Sequence, residues 1–210
     1  MLQTQTVDPS TLELIKKLQA KDYLKDFHLV GGTALALKLG HRQSIDIDLF
    51  SNFSFDTQQM LEYLSIDFQF NLFYSAMNTL KGSISNIQLD IVAHRYPYVN
   101  KPIFADGISM LSTEDIIAMK LNTITCSGQR VKDFIDIFFL LENYTLDAML
   151  GFYKKKYSHQ NEVNVLKSLI WFMDVDLTDW PVMIRNKEMK WNDVKKNLTK
   201  VVKVYLKKNI

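Results

Sequence analysis

Asp46 and Asp48 stand two residues apart in a strictly alternating stretch, residues 44–50 (SIDIDLF), with Ile45, Ile47 and Leu49 on the opposite face. Period two over seven residues predicts a half-buried strand. Carboxylates side by side repel, and their juxtaposition is tolerated best with a cation between them. Upstream, Gly31-Gly32 ends a short apolar segment, residues 27–30, and opens a helix-forming stretch, residues 33–39 (TALALKL). Glycine lets a backbone approach a ligand closely, and a helix N-terminus presents unpaired N–H groups to an anion. A phosphate cradle beside a carboxylate pair is what holding a nucleoside triphosphate with Mg²⁺ requires. Taken singly, a Gly-Gly is a tight turn and a D-x-D is the solvent face of a strand. Their combination, with a helix between, points to nucleotide chemistry.

The other chemistry-bearing residues admit two readings each. Asp90 lies inside an apolar strand-like run, residues 87–92 (IQLDIV), as a third carboxylate or as a solvent-facing residue. Lys120 is a cation on a helix, for a triphosphate or for solvent. Asp133 and Asp136 are three apart, hence on one helix face, and Asp136 sits among Ile135, Ile137 and Phe138. An ionised carboxylate in such surroundings needs a partner, with Lys120, Arg130 and Lys132 as the candidates. Arg42 offers a planar fork to a phosphate, or braces the aspartate pair from behind. The four histidines, His28, His41, His94 and His159, show no metal-ligand spacing and are read as non-catalytic, with His94 the strongest exception. Cys126, the one cysteine, has no base near it in sequence and is expected to be buried; a disulfide within the chain is excluded.

These residues need elements to position them. Asp8-Pro9 starts a helix carrying Leu12, Ile15 and Leu18. Gly40 ends the helix of residues 33–39 in a left-handed cap. Asp56 caps a further helix with Met60, Leu61 and Leu64 inward. Residues 66–93 read as a β-meander in which Phe68, Phe70 and Leu72 alternate, followed by returns over residues 79–84 and 87–92. Pro97 and Pro102 bracket an irregular connection. From Ser112 the pattern is helical, with segments at residues 131–141, 146–157, 163–173 and 193–208. Asp174, Asp176 and Asp179 fall in a loop between the last two.

Of the 210 residues, 47% are hydrophobic and 23% charged, which excludes a disordered chain. The N-terminal residues lack the cationic and apolar regions of a signal peptide, and no apolar run is long enough for a bilayer, so a cytoplasmic protein without membrane attachment is expected. The formal charge of +2 hides an asymmetry: residues 1–150 carry 12 Lys and Arg against 17 Asp and Glu, and residues 151–210 carry 13 against 6. Lys196, Lys200, Lys203 and Lys207 lie along one face of the last helix, opposite an apolar side of Val194, Leu198, Val201, Val202 and Tyr205. That face is either a solvated helix surface or a basic stripe for an RNA backbone.

The stretch GGTALAL–LGHR–S–DIDLF resembles the signature of the polymerase-β-type nucleotidyltransferases, and in particular that of the AbiEii/AbiGii toxin branch. Lys120 within LSTEDIIAMKL, then Arg130 and Lys132-Asp133-x-x-Asp136, resemble that branch's downstream motifs. The likeness spans about residues 27–142, and nothing beyond it is matched. It implies an α+β fold: a polymerase-β-like core, a mixed sheet with flanking helices over residues 1–110, followed by a helical C-terminal region over residues 111–210. It implies a metal-dependent, pyrophosphate-releasing nucleotidyltransferase, the toxin of a toxin–antitoxin or abortive-infection system. The acceptor hydroxyl would belong to a tRNA 3′ end or a protein, and a cognate antitoxin would be a partner. By the same likeness Asp46, Asp48 and Asp90 would ligate Mg²⁺ (or Mn²⁺). Gly31, Gly32 and Thr33 would hold phosphates, Arg42 and Ser44 would belong to the nucleotide site, and Lys120 and Asp133 would complete the pocket, leaving Asp136 structural. The rivals are a catalytically degenerate binding module of the same fold and, with less in its favour, a D-x-D glycosyltransferase.

Overall fold

In the computed structural model, which describes residues 1–209, the Asp8 carboxylate accepts a hydrogen bond from the Ser10 amide at 2.9 Å. Pro9 takes the first position of α1 (Pro9–Gln19), where its missing N–H costs nothing. The chain forms two compact units that divide between Ser112 and Thr113.

The first unit holds a seven-stranded mixed sheet. Its strands are β1 (His28–Leu29), β2 (Ile47–Ser51), β3 (Asn71–Ala76), β4 (Thr79–Ile84), β5 (Ile87–Ala93), β6 (Ile103–Ala105) and β7 (Ile108–Met110), in the order β3-β4-β5-β2-β1-β7-β6. The pairs β2–β5 and β1–β7 are parallel and the rest antiparallel. Helix α2 (Gly31–Leu39) follows β1 directly and ends at Gly40, whose φ of +69° is the left-handed cap that its sequence predicts. Helix α3 (Thr57–Phe68) starts at Asp56, which accepts from the Gln59 amide at 3.0 Å. Along β2, Ile47 and Leu49 are fully buried, and each such side chain contributes about 1.5–3 kcal/mol.

Several elements differ from the sequence expectation. β2 begins at Ile47 rather than at residue 44, and Ile45 is 66% exposed. Residues 44–46 are held by bonds to α2 and to the N-terminal segment (the Ser44 amide donates to the Thr6 carbonyl, 3.0 Å), so the alternation runs on without a strand beneath it. Phe68 closes α3 instead of opening a strand, because the left-handed Gln69 ends the helix one residue later. The connection after Pro102 contains the hairpin β6–β7, turned at Asp106-Gly107, both with positive φ. That hairpin supplies β7 as the parallel neighbour of β1.

The second unit is helical: α4 (Thr113–Cys126), α5 (Val131–Leu140), α6 (Leu146–Lys156), α7 (Glu162–Ser168) and α8 (Trp191–Asn209). Helix α7 stops five residues short of the expected end at 173. Cys126, expected in the core, is exposed at the last turn of α4. Lys156, the third residue of a Lys-Lys-Lys run, is buried and ion-paired with the buried Asp115 at 2.8 Å. Among the described residues no helix is long and apolar enough to cross a membrane.

Candidate active site

The sheet brings two of the three aspartates into one row. Asp48 on β2 is in register with Asp90 on the parallel β5, and Asp90 is in turn opposite Lys81 on β4. Neighbouring strands lie about 4.8 Å apart, and residues in register project from the same face. Both aspartates are partly exposed, whereas Ile47, Leu49, Leu89 and Ile91 on the other face are buried. Two like charges in adjacent register destabilise a sheet unless something compensates them. On one side Lys81 does so, through an ion pair between its ammonium and Asp90 Oδ2. Lys81 escaped the sequence reading. Its signal was the hairpin itself: a two-residue turn at Ser85-Asn86 pairs Ile84 with Ile87 and so places Lys81 opposite Asp90.

Beside that row lies the glycine turn. Val30, the residue before α2, donates its amide to the Asp48 carbonyl at 2.9 Å, tying the start of the helix to β2. Gly31 has a φ of +68°, and a Cβ on it would fall 2.1 Å from Asp48 Oδ2. The Asp48 carboxylate therefore rests directly against the Gly31 backbone, and only glycine admits both the dihedral and the approach. At Gly32 a Cβ would fall 2.6 Å from Arg42 Nη2 and 3.2 Å from Ser44 Oγ. Both glycines are partly exposed at the first turn of a nine-residue helix, where backbone N–H groups have no intrahelical acceptor.

The residues behind the glycines are inside the protein. Thr33 is buried, with its hydroxyl within 3.0 Å of Ser44 Oγ and bonded to the Asp46 carbonyl. What this hydroxyl does here is pin the 44–46 segment to α2, which sets where Asp46 leaves the backbone. Arg42 is buried too, donating from Nη1 to the Gln43 carbonyl at 3.0 Å and packing beneath Gly32. Of the two roles open to Arg42 from sequence, its burial suits bracing the turn. Asp46 precedes β2 and is partly exposed.

In the helical unit, Lys120 on α4 meets two carboxylates of α5. Its Nζ lies 2.6 Å from Asp133 Oδ1 and 2.7 Å from Asp136 Oδ2, and the three side chains are 8%, 3% and 0% exposed. Asp136 thus finds the partner its apolar surroundings demand, and the three-residue spacing puts both aspartates on one face. Lys132 pairs instead with Asp179 at 2.6 Å, and Asp176 caps the local turn at Thr178. His94 packs its ring near Phe50 and Tyr96, and His41 is buried.

The donor chemistry at the sheet row fits a hard divalent cation: carboxylate oxygens only, in register and partly exposed. Among the described residues, no three acidic, histidine or cysteine side chains already converge tightly enough to enclose one ion. Asp90 would exchange its contact with Lys81 for a cation shared with Asp48.

A family model described as nucleotidyl transferase AbiEii toxin, type IV TA system, matches residues 13–72 and 66–201. The match continues well past residue 142, so most of the C-terminal region also belongs to the shared pattern. An uncharacterized protein of Aquifex aeolicus (strain VF5) is 30% identical over 203 residues, covering 92% of this chain and 95% of its own. Among solved structures, MenT4, a nucleotidyltransferase toxin of Mycobacterium tuberculosis H37Rv, superposes with a TM-score of 0.62 at 13% identity, covering 92% of this chain and 80% of that one. An H. pylori protein assigned as a nucleotidyltransferase gives 0.54 at 16% identity, with 96% of each chain covered. At these identities the structural likeness is one of fold.

Proposed function

Because the chain belongs to the AbiEii family of nucleotidyltransferase toxins of type IV toxin–antitoxin systems, we propose that the Asp48–Asp90 row and the Gly31-Gly32 turn form its nucleotide-transfer site. The reaction is transfer of a nucleoside monophosphate from an NTP to an acceptor hydroxyl, with release of pyrophosphate. The observation that carries this reading is the contact of Asp48 with the backbone of Gly31: a carboxylate and the opening turn of a helix meet beside the inner strands β1 and β2 of the sheet.

In this reading Asp48 and Asp90, with Asp46 at the approach to β2, would hold Mg²⁺ or Mn²⁺, which when bound would offset the negative charge of the triphosphate and of the departing pyrophosphate. The first-turn amides of α2 bind β- and γ-phosphate oxygens and so orient the α-phosphorus for in-line attack. Thr33, Ser44 and Arg42 keep that turn and the carboxylates in fixed relation, so little reorganisation accompanies the reaction. Asp90 accepts the proton of the incoming hydroxyl. The acceptor is an RNA 3′ end, and an antitoxin holds the activity in check.

The test is incubation of the protein with Mg²⁺, total tRNA and each α-labelled NTP in turn, beside the Asp48→Asn variant. Label entering RNA with one nucleotide, and falling by more than about 100-fold in the variant, is the expected result. Label entering the protein itself would move the acceptor from RNA to a side chain. Metal-dependent NTP binding without any transfer would favour the degenerate binding module.

A further inference from the structure

Helix α8 (Trp191–Asn209) buries Val194, Leu198 and Val202, at spacings of four, against α5 and α6. Its other side carries Lys196, Lys200, Lys203 and Lys207, with the half-buried Lys195 at the flank. These five line an open groove of about 560 Å³ that also includes Phe172. Lys196, Lys200, Lys203 and Lys207 are exposed, and among the described residues none of the five is paired with a carboxylate.

An ordinary solvated helix interleaves both signs, since like charges four apart destabilise it. After Asp193, α8 has no acidic residue at all. The helix dipole favours cations in the last turn, which accounts for Lys207 but not for Lys195 to Lys203. From Lys196 to Lys207 the row runs about 16 Å at 1.5 Å per residue, with a positive charge every turn. A membrane surface would require an apolar face to insert; on α8 Val194, Leu198 and Val202 are buried inside the unit, and the exposed Val204 is a single residue rather than a face. A regular row of unneutralised ammonium groups with an aromatic ring in its groove is instead the chemistry that follows a single-stranded polynucleotide.

We infer that this face of α8 binds the phosphate backbone of the RNA that accepts the nucleotide. The inference rests on the proposed RNA acceptor, and its test is kept apart from transfer. Anisotropy of a fluorescein-labelled 12-nucleotide single-stranded RNA is titrated with the full chain from 50 to 300 mM NaCl. Five neutralised phosphates give a slope of log K against log salt of about −3.5. Lys196→Ala/Lys200→Ala/Lys203→Ala should bring the slope to about −1.4 and weaken binding about 100-fold at 0.1 M salt. The control, Lys16→Ala/Lys25→Ala/Lys101→Ala, removes the same charge from exposed sites of the other unit and should leave binding within about threefold. All six lysines are exposed, so melting should be unchanged in both variants.

Equal losses in the two triple variants would reduce the effect to net charge and overturn the inference. So would an unchanged slope in the α8 variant, or binding to phosphatidylserine vesicles without binding to RNA. Asp48→Asn should bind the RNA as the wild type does. Loss of transfer in that variant with RNA binding retained separates failure of the stripe from failure of the catalytic reading.

Discussion

Replacing Lys120 with methionine should unfold the helical unit at a much lower temperature. Methionine preserves the apolar stem and the volume, so packing changes little and the charge is what is lost. The ammonium lies 2.6 Å from Asp133 and 2.7 Å from Asp136, and none of the three side chains is more than 8% exposed. Its removal leaves two carboxylates facing one another out of water. Removing one partner of a buried ion pair costs about 3–5 kcal/mol. For a unit of about 100 residues each kcal/mol moves Tm by about 4–8 °C, so a fall of at least about 12 °C is expected. Asp136→Asn should cost far less, because it leaves one cation on one anion with a hydrogen bond still in place. The assay is calorimetric or circular-dichroism melting of both variants, with the KM for NTP measured at a temperature where each is folded. A lysine that spends its charge on the triphosphate predicts the reverse: unchanged melting and a raised KM. If Lys120→Met melts within about 2 °C of the wild type, the structural account of the cluster is refuted.

Two further expectations follow from the first unit. Gly31→Ala should abolish transfer and lower Tm, because alanine at a φ of +68° is strained by about 1–2 kcal/mol and its Cβ would displace Asp48 from 2.1 Å away; full activity would sever the link between Asp48 and the turn. Burial lowers the pKa of His28 from its ordinary 6.5, against a smaller opposing pull from Asp26. The unfolded chain then binds more protons in the window below pH 6.5, so stability is complete above it and declines as pH falls through that window. His28→Gln should flatten the dependence, and an NMR titration placing the His28 midpoint above 6.5 would reverse the sign.

What could be read along the chain was local. Asp8, Asp56 and Gly40 announced helix ends because caps depend on a residue and its neighbours within four positions. The Gly-Gly turn and the D-x-D that follows are likewise local, and their spacing already pointed to nucleotide chemistry. Where the alternating pattern misled, either no neighbouring strand was there to pair with or an adjacent cap had claimed the residue for a helix. Ile45 alternates like a strand residue but has no strand to pair with, and Phe68 alternates yet belongs to a helix that Gln69 ends. The β6–β7 hairpin is short, and β7 gains its place only by joining β1.

The chemistry-bearing side chains divide in the same way. The sequence by itself determined which residue types were present, that Asp46 and Asp48 lay near a glycine-opened helix, and that Lys196 to Lys207 shared a face. Only the tertiary structure decided which charges meet. Strand register set Asp90 beside Asp48 and Lys81 opposite Asp90, and helix packing assigned Lys120 to both Asp133 and Asp136. The third lysine of a run that looks wholly solvated went to the buried Asp115, 41 positions away. The physical reason is that an ion pair is fixed by separation in space, over a few ångströms, and a buried charge is tolerated only where folding delivers its partner.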